Sequence, residues 1–257
     1  MITTNQNKQI KQILKLKKNA RERKKEKMFI VEGIRMFREI PEDQFVKAYV
    51  TEDFFGEHNE LFQQKDTEIV SDSVMKEISD TMTPQGVLAL VKMKEYSLDE
   101  FLGKHPLLLV LENIQDPGNL GTILRTGEGA GITGLIMSKD TVDIYNPKVI
   151  RSTMGSIFRV PFCYVEEMAD AVDFLKKNDI TTYAAHLDGA TYTKENFKGA
   201  SAFFIGNEGN GLTRQLTEKA DKMIKIPMMG KVESLNAAMA SGLLVYEARR
   251  QRGEGGE

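Results

Sequence analysis

The chain has 257 residues, 41% apolar and 28% charged, with a formal net charge of −2. This is ordinary for one large or two modest globular domains with proper cores, and no run of 18 apolar residues offers a membrane span. The lone cysteine, Cys163, excludes an internal disulfide and reads as a plain buried residue of a cytoplasmic protein, while His58, His105 and His186 have no ligand-type neighbours, so no metal is expected.

The first eight residues lack the apolar core of a secretory signal and lead into a lysine-rich stretch, as expected of a cytoplasmic chain. Residues 8–27 carry ten Lys/Arg against only Glu22 and Glu26, a net of +8 that leaves −10 for the remainder. A run of lysines can be nothing more than a solvated helix face. A stretch this basic on an otherwise acidic protein points instead to a nucleic-acid partner.

In chain order, residues 7–27 read as one amphipathic helix with Ile10, Ile13 and Leu14 on its apolar stripe. A short strand follows at 28–31. Glu32-Gly33 then turns the chain into a helix with Ile34, Phe37 and Ile40 inward, stopped by Pro41. Short strands at 47–51, 68–70 and 86–91, with helices between, complete a small α/β domain over residues 1–94. Residues 95–104 are charged, weakly patterned and read as a linker. From Pro106 the pattern changes. Leu107-Leu-Leu-Val-Leu111 is a continuous apolar run of the kind buried on both faces of a parallel sheet, and similar runs recur at 134–138, 182–186, 202–206 and 223–226. Helical patterns alternate with them, which predicts a doubly wound parallel sheet over residues 105–257, closed by a small-residue helix from Ser234 to about Arg250.

Three Asn/Gly-rich segments lie at the ends of these runs: Asn113-Ile-Gln-Asp-Pro-Gly-Asn-Leu-Gly-Thr-Ile-Leu-Arg125, Phe204-Ile-Gly-Asn-Glu-Gly-Asn-Gly-Leu212 and Ile226-Pro-Met-Met-Gly-Lys-Val-Glu-Ser-Leu-Asn236. Pliable backbone beside a few polar side chains suits a ligand held by main-chain contacts. In the first segment Asn119 is placed as a helix N-cap and Arg125 falls off the stripe of Leu120, Ile123, Leu124 and Gly127. Taken alone, that is equally a capping asparagine and a surface arginine. In the second, Glu208 is the only charge in a glycine loop, fit to orient a cation or hydroxyl, or simply solvated. In the third, Ser234 and Asn236 sit at a helix start, where Ser234 also suits plain capping. Gly129-Ala-Gly-Ile-Thr-Gly134 imitates the dinucleotide fingerprint, but it follows a helix and precedes a strand, the reverse of the required context.

Together these three segments resemble the SpoU (TrmH-like) branch of the SPOUT RNA methyltransferases over about residues 107–250. Phe29-Ile-Val-Glu-Gly-Ile-Arg35 and Thr83-Pro-Gln-Gly-Val87 resemble that family's substrate-binding domain. The resemblance implies a C-terminal α/β domain with a trefoil knot and a smaller N-terminal α/β RNA-binding domain. It also implies a homodimer and transfer of the methyl of S-adenosylmethionine to a ribose 2′-hydroxyl of RNA. It places Gly206, Ile226 and Leu235 at cofactor-contacting positions, with Asn207, Gly211, Met228 and Ser234 beside them. It places Asn119, Arg125, Glu208, Ser234 and Asn236 around the reaction. RNA docking falls to Lys8, Lys11, Lys15, Lys18, Arg21, Arg23, Lys24, Arg35 and Arg151. Ribosomal RNA of the large subunit is the first expectation for the substrate and transfer RNA the second. Two alternatives stand beside this reading: a non-catalytic RNA-binding assembly factor on the same fold, and, on the imitation fingerprint alone, a nucleotide-dependent oxidoreductase.

Overall fold

The computed structural model describes residues 1–207 and 209–253. The chain divides into two compact units, one formed by Met1–Lys94 with Asp143–Phe158, the other by Glu95–Val142 with the residues from Arg159 onward. The stretch 143–158 was expected inside the C-terminal domain; it belongs instead to the first unit.

The first unit begins with α1 (Lys8–Lys18) and α2 (Ala20–Glu26), which sequence reasoning had joined into one helix. Asn19 separates them. Its backbone is extended, at φ −129° and ψ 114°, and its side chain accepts the Arg21 amide at 2.8 Å, so one asparagine ends a helix and caps the next. The buried stripe of α1 is Ile10, Ile13 and Leu16, with Leu14 only half-buried. Next come β1 (Met28–Glu32), α3 (Ile34–Arg38), β2 (Phe45–Val50), α4 (Glu52–Glu57), β3 (Thr67–Ile69), α5 (Asp72–Ile78) and β4 (Val87–Lys92). The sheet order is β1-β4-β2-β3, antiparallel except for the β2–β3 pair. One face of this sheet packs Ile30, Tyr49 and Leu88 against Ile10, Ile13 and Leu16 of α1 and Val74, Met75 and Ile78 of α5. Side chains alternate along a strand, so Phe29 points the other way. There it meets Tyr145 and Phe158, at ring-centroid distances of 4.6 and 6.2 Å, which is how the stretch 143–158 is bound to this unit.

The second unit is built from β5 (Leu107–Leu111), α6 (Pro117–Ala130) and β6 (Gly134–Ser138), then β7 (Phe162–Val165), α8 (Met168–Lys177), β8 (Thr181–Thr191), β9 (Ser201–Ile205), α9 (Arg214–Lys219), β10 (Lys222–Lys225) and α10 (Ala237–Gln251). Between β6 and β7 the chain supplies α7 (Pro147–Thr153) to the first unit. The sheet is parallel throughout, in the order β10-β8-β9-β5-β6-β7. Successive strands add to one side of β5 and then to the other. This reversal in the direction of strand addition is a topological switch point, which in such sheets opens a crevice at the carboxyl ends of the strands beside it. β5, β6 and β9 are buried at every residue, as their unbroken apolar runs require. Strand β7 was not foreseen; its apolar run, Phe162-Cys-Tyr-Val165, is only four residues long and forms the edge of the sheet, with Tyr164 exposed. Cys163 on β7 is half-buried rather than fully buried, and burial pushes its thiol up to about 12. In the imitation fingerprint, Gly131 at φ 76° is the left-handed cap of α6, and Gly134 leaves room for Phe101, which a Cβ would approach within 2.5 Å. Those glycines serve packing and termination.

Candidate functional site

The second glycine segment leaves β9 and folds tightly back. A Cβ on Gly206 would lie 2.1 Å from the Gly211 carbonyl carbon and 2.3 Å from the Leu212 nitrogen, so only glycine fits there. Asn207 organises the turn with both ends of its amide. Its Oδ1 accepts the Gly209 amide at 2.8 Å and its Nδ2 donates to the Asn113 carbonyl at 2.9 Å; the Gly211 amide returns to its backbone oxygen at 2.8 Å. Downstream, the buried carboxylate of Glu112, at the end of β5, accepts the Thr213 amide at 2.6 Å and the Thr213 hydroxyl at 2.8 Å. The first and second segments are therefore tied together by Glu112, Asn113, Asn207 and Thr213. Of these only Asn207 was singled out from sequence. Glu208 lies outside the described residues.

Every residue expected to hold the cofactor lines one cavity of about 390 Å³, within the range of small-molecule sites. One wall is the 206–212 turn; another is the segment leading from β10 to α10, with Leu235, Ala240 and Leu244 supplying apolar surface. Between Pro227 and Leu235 that segment makes no backbone–backbone hydrogen bond among the described residues. Its main-chain amides and carbonyls are thus left without main-chain partners, and such groups can be satisfied by a ligand. Glu233 and Lys225 add one carboxylate and one ammonium to the walls. An amino-acid zwitterion joined to a flat apolar ring matches this set of groups. His186, Leu187 and Leu244 also line the cavity. Nothing local in the sequence marks them, because they arrive from β8 and α10 by folding alone.

Two helix starts differ from expectation. Asp116, not Asn119, caps α6, accepting the Asn119 amide at 2.8 Å, with Pro117 in the first turn. Asn236, not Ser234, caps α10, accepting the Ala238 and Met239 amides at 2.9 and 3.3 Å. Ser234 is thereby released to line the cavity. Asn236 spends its Oδ1 on the cap and donates its Nδ2 to Asn119 Oδ1 at 2.9 Å, bringing the first and third segments into contact. From that bond α10 runs alongside α6: a Cβ on Gly242 would sit 3.2 Å from Thr126, one on Gly129 3.0 Å from the Tyr246 hydroxyl, and one on Gly131 3.5 Å from Arg249. Small residues allow this approach. Arg125 lies on the outer side of α6, exposed and with no hydrogen bond or ion pair among the described residues. Six helical positions from Asn119, it points roughly 120° away from it.

The basic residues separate into two groups. Lys8, Lys11, Lys15, Lys18, Arg21 and Lys24 are exposed, and the first three, with Lys25, line a shallow cleft between α1 and α2. Arg23, expected among the RNA-contacting residues, is 3% exposed. Its Nη1 caps α1 by donating to the Leu16 carbonyl at 2.6 Å, and its Nε and Nη2 reach Asp143 Oδ2 at 2.9 and 2.6 Å. It fastens the stretch 143–158 and does not face solvent. Lys17 also turns inward, onto the carbonyls of Glu77 and Ser79. Arg35 is exposed, and Arg151 pairs with Asp80 at 2.7 Å. Among the described residues no cluster of His, Cys, Asp and Glu is arranged to hold a metal ion, and no helix is long and apolar enough to cross a membrane.

Residues 106–246 match the SpoU rRNA Methylase family, and residues 7–89 match the MRM3-like substrate binding domain. The chain is 32% identical to the 23S rRNA (guanosine(2553)-2′-O)-methyltransferase RlmP of Bacillus subtilis over 231 residues, 89% of this chain and 91% of the relative. Among solved structures it resembles the SpoU methyltransferase AviRb of Streptomyces viridochromogenes in complex with AdoMet, with a TM-score of 0.88 and 26% identity over 98% of this chain and 100% of the other. An AdoMet-bound rRNA methyltransferase of Sinorhizobium meliloti superposes with a TM-score of 0.84 at 26% identity, over 97% of each chain.

Proposed function

This chain belongs to the SpoU rRNA methylase family and is an S-adenosylmethionine-dependent RNA 2′-O-methyltransferase, and we propose that its substrate is a nucleotide of large-subunit ribosomal RNA. The observation that carries the reading is the joining of the three glycine segments: the cavity collects the second and third, and the Asn236–Asn119 hydrogen bond joins the third to the first. The relative's action on 23S rRNA supports the target. Membership of the family supports a knotted chain here, with the 206–212 turn and the segment entering α10 lining one cavity. We place the enzyme in the cytoplasm, with its RNA.

S-adenosylmethionine supplies an electrophilic methyl on a sulfonium. Gly206, Asn207 and Gly211 shape one side of its cavity, and the backbone around Ile226, Met228, Ser234 and Leu235 holds the other. Asn119 and Asn236 fix each other beside it, so each enters the reaction pre-oriented, and Glu208 belongs to the same set by its place in the second segment. Arg125 is exposed, and its guanidinium fork has no partner among the described residues. Such a group is essentially always protonated, so it suits binding RNA phosphate and stabilising the alkoxide that develops on the ribose oxygen. Positioning that oxygen against the methyl is the remaining task. On α10, Met239, Leu243 and Tyr246 recur at spacings of four and three and are 60%, 38% and 51% exposed. An apolar stripe left on the surface supports a second copy packed there.

The test is tritium transfer from labelled S-adenosylmethionine into rRNA and tRNA, with nuclease mapping of the labelled ribose. Label at one rRNA nucleotide, lost in Arg125→Ala and strongly reduced in Arg125→Lys, is expected. Label in tRNA alone would reassign the target. Cofactor binding without label in any RNA, assembling ribosomal particles included, would leave an RNA-binding assembly factor.

A further inference from the structure

We propose that a cleft in the first unit, distinct from the cofactor cavity, holds an unstacked nucleotide of single-stranded RNA; this rests on the reading of the chain as an RNA methyltransferase. The cleft encloses about 330 Å³, and Arg35, Met36, Gln85, Arg151 and Met154 are on its walls. All belong to the first unit, although Arg151 and Met154 come from the stretch between β6 and β7.

The cleft is built rather than incidental. Gly33, at φ 89°, lets the Gln85 side chain cross over it, since a Cβ there would lie 2.8 Å from Gln85 Oε1. That oxygen accepts the Ile34 amide at 3.0 Å, so the hydrogen-bond pattern turns the Gln85 NH2 group the other way, where it has no partner among the described residues. The loop's other end is tied by Glu32, whose carboxylate accepts the Asp80 amide at 2.9 Å and the Thr81 hydroxyl. Between these two ties Met82 projects with its side chain fully exposed. Arg35 is exposed and makes no ion pair among the described residues, whereas Arg151 is held by Asp80 at 2.7 Å and is still 31% exposed.

The chemistry of the walls selects the ligand. Glu32 and Asp80 are already engaged, which leaves Arg35 as the open charge for a phosphate. Half-buried Met154 offers polarizable surface to a base, with Met36, only 4% exposed, closing the back of the slot, and Met82 is placed to wedge beside a neighbouring base. The Gln85 NH2 is a free donor for a base edge or phosphate oxygen. A phosphate site beside an apolar slot with one polar reader is how single-stranded nucleic acid is held, and a duplex presents no splayed base to such a slot. The exposed lysines of α1 lie in the same unit and supply the long-range attraction.

The experiment uses the full chain with an RNA it methylates. Arg35 has no hydrogen-bond or ion-pair partner to lose among the described residues, so Arg35→Ala should leave the unfolding temperature and S-adenosylmethionine affinity unchanged. We expect KM for RNA to rise about tenfold, more than kcat falls, and the slope of log affinity against log salt to shrink by about 0.7, the share of one single-strand phosphate. A 4-thiouridine RNA should photocrosslink to peptides carrying Met36, Met82 or Met154. Unchanged KM and salt slope, crosslinks confined to other peptides, or equal competition by a free nucleoside monophosphate would each overturn the subsite while methyl transfer by the wild type continues. A wild-type protein that neither binds nor methylates RNA would end the methyltransferase reading and the subsite with it.

Discussion

Replacing Gly206 by alanine inserts one methyl group where the structure has backbone on the far side. Non-bonded carbons rest about 3.5–4.0 Å apart, whereas the new Cβ would stand 2.1 Å from the Gly211 carbonyl carbon and 2.3 Å from the Leu212 nitrogen. No rotamer relieves this, because both opposing groups are main chain. The 206–212 turn must open, and opening it gives up the Gly211–Asn207 and Asn207–Asn113 hydrogen bonds. At about 1 kcal/mol each, with residual strain added, the loss is roughly 2–3 kcal/mol in the geometry proposed to hold the cofactor. With tenfold in affinity for each 1.4 kcal/mol, the dissociation constant for S-adenosylmethionine should rise about 30- to 140-fold. Calorimetric titration of three variants tests the reasoning. Gly211→Ala meets no atom within 4 Å and carries only the strain of φ 66°, on the order of 1–2 kcal/mol. Gly199→Ala meets nothing and has no positive φ. The expected order of damage is Gly206, then Gly211, then Gly199 at wild-type affinity. A Gly206→Ala protein binding within twofold of wild type would refute the steric argument.

Removing Arg23 strands the half-buried Asp143 carboxylate and uncaps α1, so Arg23→Ala should cost about 3–5 kcal/mol in urea unfolding, while RNA affinity of the folded fraction stays unchanged; a selective loss of RNA binding at full stability would return Arg23 to the RNA-contacting residues. Charge placed on the exposed stripe of α10, as in Leu243→Asp with Tyr246→Asp, should convert a dimer to monomers in analytical ultracentrifugation, and an unchanged sedimentation coefficient would dismiss that face as the interface. Burial, with the Asp66 and Glu68 carboxylates adding to it, pushes the Tyr49 hydroxyl up to about 12. The unfolded chain ionises first, near pH 10, so stability should fall between pH 10 and 12 by at most about 1.4 kcal/mol per pH unit, and Tyr49→Phe should flatten that limb of the urea-midpoint profile. The raised Cys163 thiol should react with iodoacetamide at pH 8 far more slowly in the native protein than in urea.

Periodicity was enough for the buried central strands. The unbroken apolar runs became β5, β6 and β9 because a strand covered on both faces has no solvent side to mark. It failed where a local rule had two solutions. Asn19 could continue a helix or break it, and the break prevails because its own side chain caps α2 while Arg23 caps α1 from a distance. Asn119 and Ser234 are both good capping residues, yet Asp116 and Asn236 take those positions. The capping oxygen must stand at the point where the chain enters the helix, and the chain path decides where that is.

The glycine segments announced a ligand site in the sequence by residue type, since only pliable backbone can crowd as Gly206 does. What they were for required a resemblance, because type and spacing alone left Asn119, Arg125 and Ser234 with structural readings as good as functional ones. Tertiary structure then decided which residues meet. It set Asn236 against Asn119 across 117 positions of chain, brought His186 and Leu187 to the cavity wall, and buried one arginine of a basic stretch while leaving its neighbours in solvent. Local sequence determines the conformations a segment can adopt. Long-range partners such as Asp143 for Arg23 are chosen only when the whole core closes, because burying a charge is tolerable solely where its counter-charge has arrived.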